Sequence, residues 1–328
     1  MTTLLKNNLL DTDELCIQAE RAEVVTWQGH KALRLENGLA LIPNYQITDA
    51  RIEVMVGVDG PAYPGIAFRL ADVLNFELAY PVPHVSGFWD ALQYDPVFHG
   101  SNTWQLYHGS AFQSSTQVCT GNWFRLKLEI YGHRLAVSVD GQPPLVVERL
   151  AHPASAGMVG LWTYLPAFFR TLRISTCDGE NIPRGERPAY DDEIIKAWFL
   201  EGFGVVQCEP NGVVNLNRCL RNSSPAARLS RRFEMSAAGE IDFDLGFSDM
   251  LALELDGEEV FSGENKFKGF TDRASRGYAE LGAHSLQCWL EAGQHRLSAM
   301  LSSSEPFGWG LTCAVYGGGL RWLPAELG

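Results

Sequence analysis

The sequence predicts an all-β protein made of two antiparallel β-sandwich domains of the jelly-roll type. Three observations lead to this prediction: short stretches alternate apolar and polar residues, turn signals recur about every ten residues, and long helical periodicity is missing. A chain of 328 residues also exceeds what one hydrophobic core usually organises, so two domains of roughly 150 residues each are expected.

The alternating stretches predict half-buried strands. The clearest are Arg51–Val56, Phe124–Ile130 and Arg134–Val139, and Asp140-Gly141 after the third is a strong hairpin signal. Because no stretch could supply the crossover helices of a parallel sheet, an α/β fold is excluded. Further strands are expected at Gly65–Leu70, Phe76–Tyr80, Met158–Thr163, Phe168–Ile174, Glu240–Leu245, Leu251–Leu255 and His295–Leu301.

A polar segment separates the two halves of the chain. Residues 178–188 contain two prolines and two glycines, a composition that neither a strand nor a helix favours. The predicted domains are therefore a first sandwich over residues 1–177, a linker over 178–189 and a second sandwich over 190–328. Acidic residues at the start of Tyr190–Trp198 predict a short helix directly after the linker, since the helix dipole favours them there.

Charge and cysteine content restrict the partners and the compartment. A net charge of −13 disfavours nucleic acids and anionic membrane surfaces, because both require clustered Lys and Arg. No window approaches the apolar length of a membrane span. The seven cysteines are scattered without a CxxC pair, and the first residues do not form an export signal, so a cytoplasmic location is expected. The expected partner is a small molecule or a glycan.

The first half resembles the laminin-G-like, concanavalin-type jelly rolls of bacteria, including the group of 3-keto-disaccharide hydrolase domains. The resemblance lies in Gly65-Ile-Ala-Phe-Arg69, Phe76-Glu-Leu-Ala-Tyr80, Asp90-Ala-Leu-Gln-Tyr94, Trp104-Gln-Leu-Tyr107 and Gly157-Met-Val-Gly-Leu-Trp162. The second half is similar to a galactose-binding-like jelly roll. That similarity lies in Asn215-Leu-Asn-Arg218, Gly246-Phe-Ser-Asp249, Leu255-Asp-Gly257 and Gly308-Trp-Gly310.

The predicted ligand site is the aromatic and histidine-rich segment from Glu77 to His108. In concanavalin-type jelly rolls the concave sheet binds ligands, and aromatic rings stack on sugar faces while acids and amides bind the hydroxyls. Each ring could equally be an inward core residue. The predicted ligand-binding residues are Arg69, Tyr80, Trp89, Gln93, Tyr94, Trp104 and Tyr107.

Acid–base chemistry requires histidines or carboxylates held in a pocket. The candidate catalytic residues in this segment are Glu77, His84, Asp90, His99 and His108. His84, Asp90, His99 and His108 also supply ligand types that suit zinc or another transition metal. Their spacing matches no compact zinc motif, so no cofactor is expected and a divalent metal is the alternative.

These observations leave three hypotheses open. The first is a carbohydrate- or glycoside-related protein that binds its ligand in the concave groove of the first sandwich, with a glycoside-cleaving hydrolase or lyase as its catalytic version. The second is a cytoplasmic biosynthetic enzyme of the cyclase or isomerase type that uses the same groove. The third is a non-catalytic interaction module. The shape of the groove would distinguish them.

Overall fold

The computed structural model describes residues 2–188, 192–221 and 226–325. Within these ranges the regular structure is antiparallel β-sheet, so the all-β prediction is confirmed. The helical segments described are single 3-10 turns at Thr12–Glu14, Pro83–Val85, Leu216–Arg218 and Ala274–Arg276. None of the helices described is long and apolar enough to cross a membrane.

The chain folds into two compact units. Unit 1 contains residues 1–97 and 108–187, and unit 2 contains residues 98–107 and 188–328. Ten residues of the predicted first domain therefore belong to unit 2. The predicted domain boundaries, including the linker over 178–189, stay predictions.

The strands in the first part of the chain follow the alternation read from the sequence, usually with one or two extra residues at each end. They are β1 (Thr3–Asn7), β2 (Cys16–Trp27), β3 (His30–Ile47), β4 (Ala50–Gly57), β5 (Tyr63–Asp72), β6 (Asn75–Pro81), β7 (Leu92–Tyr94), β8 (Val97–Phe98), β9 (Ser101–Asn102), β10 (Gln113–Ser114), β11 (Trp123–Tyr131), β12 (Arg134–Val139), β13 (Leu145–Val147), β14 (Gly157–Tyr164) and β15 (Ala167–Ser175).

Unit 1 is built on one continuous curled sheet. The strands lie in the order β10-β7-β6-β5-β14-β3-β15-β4-β11-β12-β13, with β1 paired to β15 and β2 paired to β3. Strands distant in the sequence are neighbours in this sheet, and β14 lies between β3 and β5. On one sheet face Phe124, Leu126, Leu128, Leu161 and Phe169 are completely buried. The other face has a second buried apolar cluster, which includes Leu78 and Tyr80. Burial of each such side chain stabilises the fold by about 2 kcal/mol.

Unit 2 contains two sheets packed around their own core. The larger sheet has the order β17-β16-β19-β24-β21-β22 with β26 beside β19, and the smaller has the order β18-β25-β20-β23. Their strands are β16 (Ala197–Leu200), β17 (Gly204–Gln207), β18 (Val214–Asn215), β19 (Ala227–Met235), β20 (Gly239–Phe247), β21 (Asp249–Leu255), β22 (Glu258–Asn265), β23 (His284–Leu290), β24 (Gly293–Ser302), β25 (Gly310–Tyr316) and β26 (Leu320–Trp322).

The core of unit 2 contains large side chains from both sheets. Trp198, Phe233, Phe243 and Trp309 are completely buried in one cluster. The predicted helix over Tyr190–Trp198 is wrong for residues 192–198, and its first two residues, 190 and 191, lie outside the described ranges. Ile194 forms a bridge to Ala314, and β16 follows three residues later, because pairing with neighbouring strands outweighs the weak helical preference of the acidic residues.

Candidate functional site

The predicted segment from Glu77 to His108 is divided between the two units. Its first part, through Val97, belongs to unit 1, together with His108. His99, Trp104 and Tyr107 belong to unit 2. The structure therefore does not gather the predicted residues into one groove of the first unit.

Glu77 and Tyr94 form a hydrogen-bonded pair in the core of unit 1. The Tyr94 hydroxyl donates to Glu77 Oε2 over 2.6 Å, and the backbone N–H of His152 donates to Glu77 Oε1 over 2.9 Å. The Tyr94 hydroxyl also accepts a bond of 2.7 Å from the N–H of Ala151. Both side chains are 0% exposed. The pair holds the loop at Ala151 and His152 against the sheet.

Arg69 also has a structural role. Its side chain is buried, and Nε donates to the carbonyl of Thr48 over 2.8 Å while Nη2 donates to the carbonyl of Gly132 over 2.7 Å. Burial lowers the pKa of Arg69, and the nearby carboxylates of Glu77 and Asp49 oppose that shift. The guanidinium therefore joins the end of β5 to the turn between β11 and β12.

Tyr80 and Gln93 lie on the other face of the same sheet. Side chains alternate between the two faces along a strand, so Tyr80, three positions after Glu77 on β6, points to the face opposite Glu77. Tyr80 pairs with Gln93 on β7. The Tyr80 hydroxyl donates to Asp95 Oδ2 over 3.0 Å and lies 3.3 Å from Gln93 Oε1. The Gln93 amide is fixed in turn by the carbonyl of Asp90, 3.0 Å away.

Around Tyr80 the sheet carries a group of rings that we call the aromatic face, consisting of Tyr63, Tyr80, His84, Trp162 and Tyr164. Tyr63 pairs with Tyr164 across β5 and β14, and their ring centroids are 5.8 Å apart. The ring of Tyr63 also lies 5.1 Å from that of His84. Tyr80 and Trp162 lie 5.4 Å apart with their rings tilted by 36°. Tyr164 is 56% exposed, so the face reaches the surface of unit 1.

Gly65 makes this arrangement possible. It pairs with Trp162 on β14, and a Cβ at this position would lie 2.9 Å from the Cβ of Tyr80 and 2.8 Å from the carbonyl oxygen of Ala79. No ordinary side chain fits there, and so the rings of β6 and β14 meet across β5. The row continues from Trp162 to Leu39 on β3 and to the exposed Gln18 on β2.

The other predicted residues of unit 1 are His84, which belongs to this face, and Trp89, Asp90 and His108. His84 lies on the 3-10 turn after β6 and is half-buried, whereas Asp90 is 1% exposed. Trp89 is half-buried and stacks on the exposed Phe88 with a centroid distance of 5.8 Å. His108 is half-buried.

The three predicted residues in unit 2 contact other residues of that unit. The ring of Trp104 lies within 6 Å of Phe267, Tyr278 and Phe307. Nδ1 of His99 is 2.7 Å from the carbonyl oxygen of Asn217. Burial raises the pKa of Tyr107 well above its usual value, and the nearby carboxylate of Glu209 raises it further.

The residues described contain no group of three or more His, Cys, Asp or Glu side chains that could hold a metal ion. Burial raises the pKa of two cysteine thiols in unit 2, Cys208 to about 12 and Cys313 further. Thiols of this kind stay protonated at neutral pH and are poor nucleophiles.

Three residues of the aromatic face, Tyr63, Trp162 and Tyr164, were not among the predicted site residues. One signal was present, because Met158, Gly160, Trp162 and Tyr164 alternate along β14 with the buried Val159, Leu161 and Thr163. The alternation places Trp162 and Tyr164 on one face, but it does not show that β14 pairs with β5.

Comparison with known proteins shows similarity at the level of solved structures. No protein-family model matches the chain. No curated protein matches it. The carbohydrate-binding module CBM66 from Bacillus subtilis is 17% identical, with a TM-score of 0.36 over 47% of this chain and 92% of the module. The β-glucanase of Bacillus licheniformis is 9% identical, with a TM-score of 0.38 over 54% of this chain and 99% of the enzyme.

A third similar structure is domain 4 of AbnA, a GH43 extracellular arabinanase from Geobacillus stearothermophilus, in complex with arabinotriose. It is 11% identical, with a TM-score of 0.33 over 49% of this chain and 77% of that domain. At such identities and TM-scores these similarities carry no argument about ligand or activity. The chain is thus similar to structures that include carbohydrate-binding modules and glycoside-cleaving enzymes, and its own site must be argued from its residues.

Proposed function

We propose that the protein binds a glycan chain on the aromatic face of unit 1. The observation that supports this most directly is the meeting of Tyr63, Trp162 and Tyr164 on adjacent strands, beside the close approach of β6 to Gly65. A pyranose ring has one face of C–H groups and a rim of hydroxyls, so it can stack on aromatic side chains while its rim stays hydrated or hydrogen-bonded.

Exposure of these rings supports binding over a purely structural role. Tyr164 is 56% exposed, and Tyr63, Trp162 and His84 are half-buried. Tyr80 is 4% exposed and supports the other rings from the apolar cluster beneath them. Aromatic side chains supply a large contact area at a low entropic cost, and a stacked ring pair contributes about 1 kcal/mol beyond the area that it buries. Two or three such contacts are enough for the modest affinity typical of a single glycan site.

Polar groups lie at both ends of the row through Trp162. The amide of Gln93 at one end is buried and already bonded to Tyr80 and Asp90, whereas the amide of Gln18 at the other end is exposed. Amides both donate and accept hydrogen bonds, which suits sugar hydroxyls. The aromatic face contains no Asp, Glu, Lys or Arg, which suits a neutral glycan better than an anionic one.

The test is a titration of the protein with neutral oligosaccharides of different backbones, including arabinan, xylan and β-glucan fragments, by isothermal calorimetry. At least one series is expected to bind, and Tyr164→Ala should weaken that binding at least tenfold. Tyr131→Ala is the matched control, because Tyr131 is also a strand tyrosine of unit 1, 47% exposed, but lies on β11 away from the aromatic face. The affinity of Tyr131→Ala for the same oligosaccharide should stay within twofold of that of the parent protein.

Two results would overturn the proposal. One is equal affinity of Tyr164→Ala and the parent protein, and the other is no binding of any neutral oligosaccharide at millimolar concentration. Assay of the same mixtures for new reducing ends tests the catalytic version separately, because binding without cleavage supports a binding protein.

A further inference from the structure

Unit 2 contains a groove that is separate in its residues and chemistry from the aromatic face. It lies on the larger sheet and has a volume of about 660 Å³. We call it the serine groove, and the residues that define it are Phe199, Arg228, Ser230, Glu254, Arg296 and Ser298.

The floor of the serine groove is one row of residues across four strands. Phe199 on β16 pairs with Ser230 on β19, Ser230 pairs with Ser298 on β24, and Ser298 pairs with Glu254 on β21. Paired residues of an antiparallel sheet point to the same side, so all four side chains share a face. The two small serines in the middle of the row leave a depression between longer side chains.

Most charges around the groove are already paired. Arg228 Nη1 donates to Glu254 Oε2 over 2.7 Å, which raises the pKa of Arg228 and lowers that of Glu254. Asp256 accepts hydrogen bonds from the backbone N–H of Arg296 and from His295, both over 2.7 Å. Glu201, which also lines the groove, is 71% exposed and lies 4.0 Å from Arg228. Each of the three carboxylates therefore has a cationic or N–H partner of its own.

Arg296 is different, because its guanidinium forms no ion pair with any described residue. Its one side-chain hydrogen bond is a long one of 3.4 Å to the hydroxyl of Ser230. The two outer nitrogens of a guanidinium match the two oxygens of a carboxylate. Arg296 lowers the pKa of Glu254 through space but is not hydrogen-bonded to it, so its guanidinium can still bind an anion at the edge of the depression.

The hydroxyl of Ser298 is also uncommitted. Ser298 is 7% exposed and lines the groove, and its side chain makes no hydrogen bond with any residue in the described ranges. The Ser298 oxygen is not among the buried atoms that lack a partner, so the hydroxyl is open to the groove. A ligand atom above the floor can therefore donate a hydrogen bond to it or accept one from it.

We propose that the serine groove binds a sugar acid of the uronic-acid class. The ligand carboxylate would lie between the guanidinium of Arg296 and the hydroxyls of Ser230 and Ser298. The sugar ring would lie against Phe199, which is half-buried at the end of the row, and Glu254 would accept a hydrogen bond from a ring hydroxyl. This inference does not depend on glycan binding at the aromatic face of unit 1.

The test compares methyl glucuronide with methyl glucoside, which differ in whether C6 is a carboxylate, by calorimetric titration of the full chain at low salt. Methyl glucuronide is expected to bind at least tenfold more tightly. Arg296→Gln should remove this preference, and Ser298→Val should weaken glucuronide binding by about fivefold, the effect of one lost hydrogen bond. Arg321→Gln is the matched control, because Arg321 is an exposed arginine of the same unit on β26 and is paired with Glu234.

The proposal is overturned if glucoside and glucuronide bind equally, or if Arg321→Gln reduces glucuronide binding as much as Arg296→Gln does. Arg296 is exposed, so its variant should melt at the same temperature as the parent protein. Tyr164→Ala, on the aromatic face, should leave glucuronide binding unchanged. If it reduced that binding equally, the ligand would belong to the aromatic face and not to the serine groove.

Discussion

The aromatic face of unit 1 and the serine groove of unit 2 are built in the same way but from opposite chemistry. Both are rows of paired residues across antiparallel strands, and both have small residues at the centre: Gly65 in the aromatic face, and Ser230 with Ser298 in the serine groove. Rings surround the glycine, whereas charged side chains surround the serines. The difference shows two uses of a small residue in mid-sheet. Gly65 lets the rings of neighbouring strands pack together over it, whereas the two serines leave an open depression whose charged neighbours favour a charged ligand.

Gly65→Leu is expected to have the largest effect, because it should disrupt the aromatic face and leave the serine groove intact. The new side chain would collide with Tyr80 and with the carbonyl oxygen of Ala79, so unfolding free energy should fall by about 2 to 3 kcal/mol, as measured by urea denaturation. Glycan binding should be lost, while glucuronide binding should remain. Gly60→Leu is the control, because a Cβ at Gly60 meets no atom within 4 Å, and a similar loss of stability there would contradict the role of Gly65.

A second substitution tests whether the two faces of the sheet in unit 1 have different roles. Tyr94→Phe removes the hydroxyl that bonds Glu77 and Ala151, and the buried carboxylate loses one donor, so stability should fall by about 1 to 3 kcal/mol. Glycan affinity should not change, because Tyr94 lies on the face opposite Tyr80. Tyr131→Phe, at an exposed position, should change stability by less than about 0.5 kcal/mol. A loss of glycan affinity in Tyr94→Phe without a loss of stability would argue against this assignment of faces.

The affinities of the two ligand sites should depend differently on salt concentration. Raising sodium chloride from low to high concentration should weaken glucuronide binding by about threefold, because screening acts on the exposed guanidinium of Arg296. Stacking on Tyr63 and Trp162 involves no net charge, so glycan affinity should stay constant or rise slightly. Calorimetric titration over a salt series measures both, and equal salt dependence would contradict the chemical difference between the sites.

The smallest expected effect is a pH dependence at the edge of the serine groove. Burial lowers the pKa of His295, but its hydrogen bonds to Asp256 and to the carbonyl of Glu291 outweigh this, and the net shift is upward. The stabilisation is present below the ordinary histidine pKa and is lost as pH rises through the raised value in the folded protein. Because Asp256 is 46% exposed, the change should be below about 1 kcal/mol.

Thermal unfolding between pH 6 and 9, compared for the parent protein and His295→Gln, measures this dependence. The variant should show a smaller fall in melting temperature as pH rises. An identical pH profile in the two proteins would show that the pair contributes nothing measurable.

The sequence predicted the strands well, because period-two alternation directly reports a half-buried strand. Arg51–Val56, Phe124–Ile130 and Arg134–Val139 all lie in strands with bounds shifted by no more than one residue at either end. The helix after the linker was wrong because acidic residues alone do not decide between a helix and a strand that has a partner. The pairing of Ile194 with Ala314, far along the chain, decided it.

The residues of the two candidate sites were harder to predict from the sequence than the strands were. Tyr80 and Gln93 were predicted, but Tyr63 and Trp162 join them through long-range pairing of β5 with β14 that no local pattern reveals. The serine groove depends in the same way on the pairing of Ser230 with Ser298. Side-chain alternation gives the face of a residue on its own strand, whereas a binding site also requires the order of strands in the sheet.

Ten residues, Phe98–Tyr107, lie in unit 2 although the chain on both sides of them belongs to unit 1. Trp104 supplies a ring to the cluster of Phe267, Tyr278 and Phe307, and the carbonyl of Gln105 accepts a hydrogen bond from the N–H of Ala279. A gene fragment that begins after the polar segment would encode unit 2 without this ring and this acceptor. Recombination that joins unit 2 to a different first half at that boundary would therefore remove contacts that stabilise unit 2. The two halves of the protein are expected to be inherited together.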